Sequence, residues 1–186
     1  DYVLNVRHPD FALTSRVLDR GSRGATWRLV PAQVQLVDPT ADIVLLDTRK
    51  ELGPRRRRGA RITIPAGSLV DPDGKVAEDD LIAAIATLDI ADDEGPGDWA
   101  VRLGDKEGAL VSYGAVFVSF RDADGREYNL GGEAVARVEL PISGTAPGEV
   151  PAGAPAEIAS WSYVEETGYW ERSGTAQLDA VQSIYA

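Results

Sequence analysis

The residues of this chain that could do chemistry are few, and most of them sit in turns. Asp71-Pro72-Asp73-Gly74 and Asp122-Ala123-Asp124-Gly125 repeat one D-x-D-G pattern. Calcium takes several oxygen ligands on a tight loop, and glycine permits the sharp bend. Asp71, Asp73, Asp122 and Asp124 are therefore the candidate calcium ligands, and calcium is the one cofactor the chain suggests. An EF-hand loop would need further ligands and a closing glutamate, and neither loop has that set. The competing use is a hairpin turn whose glycine takes a positive φ.

Hydrolysis needs a base. The single histidine, His8, stands beside Pro9 in a turn, so a Ser-His-Asp arrangement has only that imidazole to draw on. A glycosidase needs two carboxylates flanking one bond. The 30 acidic residues fall largely in turns, Asp92, Asp93, Glu94, Glu165 and Glu166 among them. Acids there serve backbone hydrogen bonding and solvation. Cysteine is absent, which removes disulfides, thiolate metal sites and cysteine nucleophiles together. The chain reads as non-enzymatic, with no catalytic residue.

Two further groups bear on partners. Arg55, Arg56, Arg57 and Arg58 run consecutively in an otherwise acidic protein. A solvated linker, a processing site for a protease that cuts after basic residues, and a patch for phosphate or acidic glycan compete for them. No aromatic residue interleaves the run as a nucleic-acid platform requires, which favours the linker. A net charge of −11 also repels phosphate backbones, so no nucleic-acid partner is expected. Trp161, Tyr163, Tyr169 and Trp170 could stack on a sugar or pair across strands. Alternation puts Trp161 and Tyr163 on one face, and Tyr169 and Trp170 on opposite faces. Trp27 and Trp99 are expected in the core.

The elements that must position these groups are strands. Gly 19 and Pro 11 punctuate many short runs of alternating side chains, the mark of an all-β sandwich or barrel. Residues 1–19 read as two strands around His8-Pro9-Asp10. Residues 25–49 supply more, broken at Pro31 and at Asp38-Pro39. Pro31 cannot donate to a ladder and marks an edge or a strand end. Residues 112–121 form a longer strand turned by 122–125 toward 127–130, and 134–142 form another. Residues 157–174 form a hairpin with Gly168 in the left-handed position.

The stretch 78–90 fits both periods. Leu81, Ile82, Ile85 and Leu88 have helical spacing, whereas Ile82, Ala84, Ala86 and Leu88 alternate. A composition break at 53–59 places a boundary there. The expected division is 1–49 as N-terminal strands and connector, 50–58 as a basic linker, and 59–186 as the sandwich. No run of 18 apolar residues occurs, so no membrane span is expected. Residue 1 is Asp and methionine is absent. The chain is expected to be a processed product or a fragment, and its lack of a leader says nothing about secretion.

Three motifs carry a resemblance: G-x-x-I-x-I-P-A-G-S-L-V-D at 59–71, Y-G-A-V-x-V-x-F-x-D-x-D-G at 113–125, and W-x-Y-x-E-E-T-G-x-W at 161–170. Together they resemble the bacterial relatives of the ZU-five type β-sandwich, which are also similar to cartilage intermediate layer protein. The resemblance covers roughly two thirds of the chain, and it is what favours a strand at 78–90. Residues 1–49 resemble the tail of a carboxypeptidase regulatory-like domain, a small transthyretin-like unit whose first strands would lie before residue 1. Some members of the wider ZU-five group cleave themselves at a His-Phe-Ser site near the end of the sandwich. This sequence contains no His-Phe-Ser, and its histidine lies at the other end.

The resemblance implies an antiparallel ZU-five-like β-sandwich with extra N-terminal strands from an adjoining Ig/transthyretin-like unit. It implies a structural or adhesive module of a secreted or cell-surface multidomain protein, whose partners are neighbouring domains or subunits. Two alternatives stay open. One is a subunit of an extracellular filament that assembles with itself through exposed strand edges. The other is a carbohydrate-binding domain with a glycan on the hairpin aromatics.

Overall fold

The computed structural model describes residues 2–18, 21, 27–49, 58–89, 94–104, 106–142 and 149–186. The described chain is all-β. Its strands are β1 (Tyr2–His8), β2 (Phe11–Leu18), β3 (Gln33–Val37), β4 (Ile43–Leu46), β5 (Arg61–Ile64) and β6 (Leu69–Val70). They continue with β7 (Leu81–Leu88), β8 (Ala100–Leu103), β9 (Lys106–Ala109), β10 (Ala115–Arg121) and β11 (Glu127–Leu130). The last are β12 (Arg137–Pro141), β13 (Glu157–Val164), β14 (Tyr169–Asp179) and β15 (Ile184–Tyr185). A 3-10 turn at Gly97–Trp99 precedes β8. No helix among the described residues is long and apolar enough to cross a membrane.

The strands form three sheets. The central one has the order β3-β7-β10-β11-β6. A longer one runs β4-β5-β12-β15-β14-β8-β9, with β13 added to β14. β1 and β2 pair only with each other. Almost all neighbours are antiparallel. The exception is β14 beside β8, which meet in parallel at Trp170 and Val101.

β7 explains the layering. Leu81, Ala83 and Ile85 point to one side, where they meet Val37 of β3, Ile43 and Leu45 of β4, Ile62 and Ile64 of β5, and Phe120 of β10. Ala86 and Leu88 point to the other side, toward Ala12 of β2, Trp99, Val101 of β8 and Trp170 of β14. A strand covered on both faces needs apolar residues at consecutive positions. That double burial is why 81–88 carries a helix-like spacing on top of its alternation. The long sheet lends strands to both cores, so it wraps around the central one. Each fully buried Leu or Ile contributes roughly 1.5–3 kcal/mol through removal from water.

The expected division at 50–58 does not follow the strand pairing. β3 pairs with β7 from Gln33↔Ile85 to Val37↔Leu81, and β4 pairs with β5 from Ile43↔Ile64 to Leu46↔Arg61. Residues 33–46 therefore belong to the sheets of the sandwich expected to begin at residue 59. The reason is burial: Val37, Ile43 and Leu45 are 8%, 4% and 0% exposed and complete the first core. The β1–β2 hairpin keeps its own sheet and lies over the second core. Two backbone bonds attach it, Ala12 N to Val30 O and Ala32 N to Asp10 O, both 2.7 Å.

Asp47 ties the ends of β4, β5 and β7 together. Its side chain is fully buried. The Arg49 guanidinium donates to both carboxylate oxygens, at 3.0 and 2.9 Å, and the Thr87 amide donates at 2.7 Å. The Thr87 hydroxyl accepts in turn from the Ala60 amide at 2.8 Å. Gly59 is required beside this knot, because a Cβ there would stand 1.6 Å from the Asp47 carbonyl oxygen.

Candidate functional site

The two aspartate turns fold alike, and the first carboxylate of each is used internally. Asp71 Oδ1 accepts from the amides of Asp73 and Lys75, both at 2.9 Å. Asp122 Oδ1 accepts from the amides of Asp124 at 3.0 Å and Arg126 at 2.9 Å. Gly74 and Gly125 take φ of 80° and 86°, the left-handed values each turn requires. The two turns also meet. Arg126, at the end of the second, reaches Asp71 Oδ2 at 2.9 Å and bonds Asp73 as well. A guanidinium therefore stands against the face of the first loop where a cation would approach.

The amides of Lys75 and Asp73, with Arg126, hold the Asp71 carboxyl below its ordinary range, and Asp73 raises Arg126 in return. The pairing of the turns was not legible in the sequence, since it depends on β6 lying beside β11. Arg126→Ala is expected to lower stability only slightly, because the ion pairs are largely at the surface. The loss should shrink in high salt, which denaturant melts at two ionic strengths would read.

The four hairpin aromatics separate. Trp170 is 7% exposed. It stacks on Trp99 at 5.3 Å between ring centroids with an interplanar angle of 10°, and its Nε1 donates to the Pro96 carbonyl at 3.1 Å. Tyr163 lies 5.6 Å from Trp170, and its hydroxyl bonds Ser15 of β2. Trp161 packs against the same core. Tyr169 faces the other way, as alternation requires. The Arg102 guanidinium covers its ring at 4.1 Å, and its hydroxyl donates to Glu107 Oε1 at 2.7 Å, which holds Glu107 below its ordinary range. Three of the four thus serve the second core, and the fourth carries an arginine on its face. Trp99 is in the core as expected, whereas Trp27 is only half-buried.

Arg55, Arg56 and Arg57 lie outside the described residues. Arg58 donates to the carbonyl and side-chain oxygens of Gln182, at 3.2 and 3.3 Å. His8 is exposed at the β1–β2 turn. Its Nδ1 accepts from the Asp10 amide at 3.2 Å, and its ring meets Phe11 edge-on.

One concave site escaped the sequence reading. A cleft of ≈ 270 Å³ opens between the β1–β2 hairpin and the sheet formed by β10 and β11. Arg7, His8, Phe11 and Leu13 line it from the hairpin, and Phe117, Ser119, Arg121 and Glu127 from the sheet. At its mouth Arg7 bonds Glu127 at 2.6 Å and also Glu165, from the turn that joins β13 and β14. Glu165 and Glu127 raise the Arg7 guanidinium further above its ordinary value. Asn5 donates to the Glu165 carbonyl at 3.2 Å, so the turn between β13 and β14 holds β1 through both Asn5 and Arg7. Asn5 and Arg7 are more than a hundred positions from Glu127 and Glu165 in the chain, and no local pattern announces their meeting.

In comparisons with protein-family models, curated proteins and solved structures, the chain matched none.

Proposed function

We propose that the protein is a non-enzymatic structural or adhesive module of a multidomain protein at the cell surface or outside the cell. The observation that carries this reading is the use made of its polar groups. Of the candidate ligands, Asp71 and Asp73 are held by Arg126 and Asp122 by backbone amides, and elsewhere Arg7 is spent on Glu127 and Glu165. Such clamps lock turns and hairpins in place. A resemblance to ZU-five type sandwiches supports the same role, by analogy of fold.

A second reading, a subunit that assembles with itself, has a specific observation behind it. β3 and β4 end their respective sheets, and neither strand contains a charged residue. Each also shows apolar side chains to solvent: Leu36 is 66% exposed and Val44 is 47%. Edge strands are ordinarily guarded by charge, proline or bulges. An uncharged edge is where two copies of an acidic chain could pair.

Light scattering after size exclusion, over a concentration series with and without calcium, separates the readings. A monomer throughout is the expected result for the module. Growth into defined oligomers would replace it with the assembling subunit. Growth only with calcium would return Asp122 and Asp124 to the role of ligands.

A further inference from the structure

We infer that the cleft between the β1–β2 hairpin and the β10–β11 sheet binds a small zwitterion, an α-amino acid with an apolar side group. Three features of the cleft lead there. The first is a cation with nothing bound to it. Arg121 lines the cleft, is half-buried, and has no ion-pair partner among the described residues. A guanidinium in that position is suited to a carboxylate, which it can grip through two parallel hydrogen bonds.

The second feature is the opposite charge close by. Glu127 is the cross-strand partner of Arg121, so both side chains leave the sheet on the same face. Among the described residues, Glu127 and Glu165 share only Arg7 between them. Two carboxylates against one guanidinium leave a negative surplus at that end of the cleft, and Arg121 gives a positive charge beside it. A ligand with an ammonium and a carboxylate on one carbon matches that separation. A simple anion or a simple cation meets one attractive and one repulsive neighbour.

The third feature is the apolar wall. Phe11 and Phe117 face the same space from the hairpin and the sheet, and they supply a surface for an aliphatic or aromatic side group. The volume lies below the range that accepts drug-sized ligands, so the occupant is of single amino-acid size.

The test uses the full chain and three probes: L-phenylalanine, 3-phenylpropionate, which lacks the ammonium, and phenethylamine, which lacks the carboxylate. Calorimetric titration should show saturable binding of L-phenylalanine. Each single-charge analogue should bind at least about tenfold more weakly. Arg121→Gln should weaken L-phenylalanine by a similar factor and leave the melting temperature unchanged, since Arg121 holds no ion pair. Amide shifts on the unaltered chain give a second readout, and they should move at 7–13 and 117–121. No saturation, equal binding of 3-phenylpropionate, full affinity in Arg121→Gln, or shifts elsewhere would each overturn the assignment.

Discussion

Asp47→Ala is expected to lower the unfolding free energy by about 3–5 kcal/mol, the usual cost of removing one partner from a buried ion pair. The carboxylate is wholly enclosed, and its loss leaves the Arg49 guanidinium and the Thr87 amide facing a void. Chemical denaturation of the purified variant measures this directly. A change under about 1 kcal/mol would mean that water replaces the carboxylate without penalty.

Titration gives the same group a second test. Burial pushes the Asp47 carboxyl up, but Arg49 and the Thr87 amide outweigh burial and hold it below the ordinary value. The folded pKa is thus depressed. Its stabilisation is complete above the unfolded value of about 3.9, and it is lost as pH falls through the folded pKa. The stability gap between the native chain and Asp47→Asn should therefore stay constant from about pH 7 to pH 5 and close below about pH 4. A gap that widened toward acid would contradict the sign.

The second large effect is expected at Trp170. Trp170→Ala removes a buried indole, its stack on Trp99 and the bond to Pro96, and should cost about 3–5 kcal/mol. The near-ultraviolet circular dichroism of the stacked pair should collapse in the same variant, even at a temperature where it stays folded. Because Trp170 is a core residue, a loss of glycan binding on its replacement would report on the fold. Tyr169, which faces outward under Arg102, is the residue to change when testing a sugar contact. A Trp170→Ala chain as stable as the parent would place the second core elsewhere.

The sequence was most legible where one face of a strand meets water. In β1 exposed Tyr2 and Leu4 alternate with half-buried Val3 and Asn5, and the turns after β1, β10 and β13 carry Pro9, Gly125 and Gly168 where the backbone needs them. It was least legible at β7, whose two covered faces blur the alternation, and at β3 and β4. Their sequences read as strands, but nothing local says that Val37 will pair with Leu81 or Leu45 with Ile62.

The site divides the same way. Asp71 and Asp122 were visible as turn formers because an aspartate bonds its own next few amides. The grip of Arg126 on the neighbouring turn was not visible, nor was the meeting of Arg7, Glu127 and Glu165. Those contacts exist only once distant strands lie side by side.

The position of β7 also bears on how the molecule acquires and loses its shape. Its neighbours in the sheet come from residues 33–37 and 115–121, and the cover on its second face comes from Ala12 and Trp170. None of these can close over β7 until long stretches of chain have been looped out, which makes ordering of this strand slow and late. Once enclosed, its amides lie beneath two layers of protein and open only when both come away together. The backbone hydrogens of 81–88 should then be the last in the molecule to exchange with solvent, at a rate set by global unfolding.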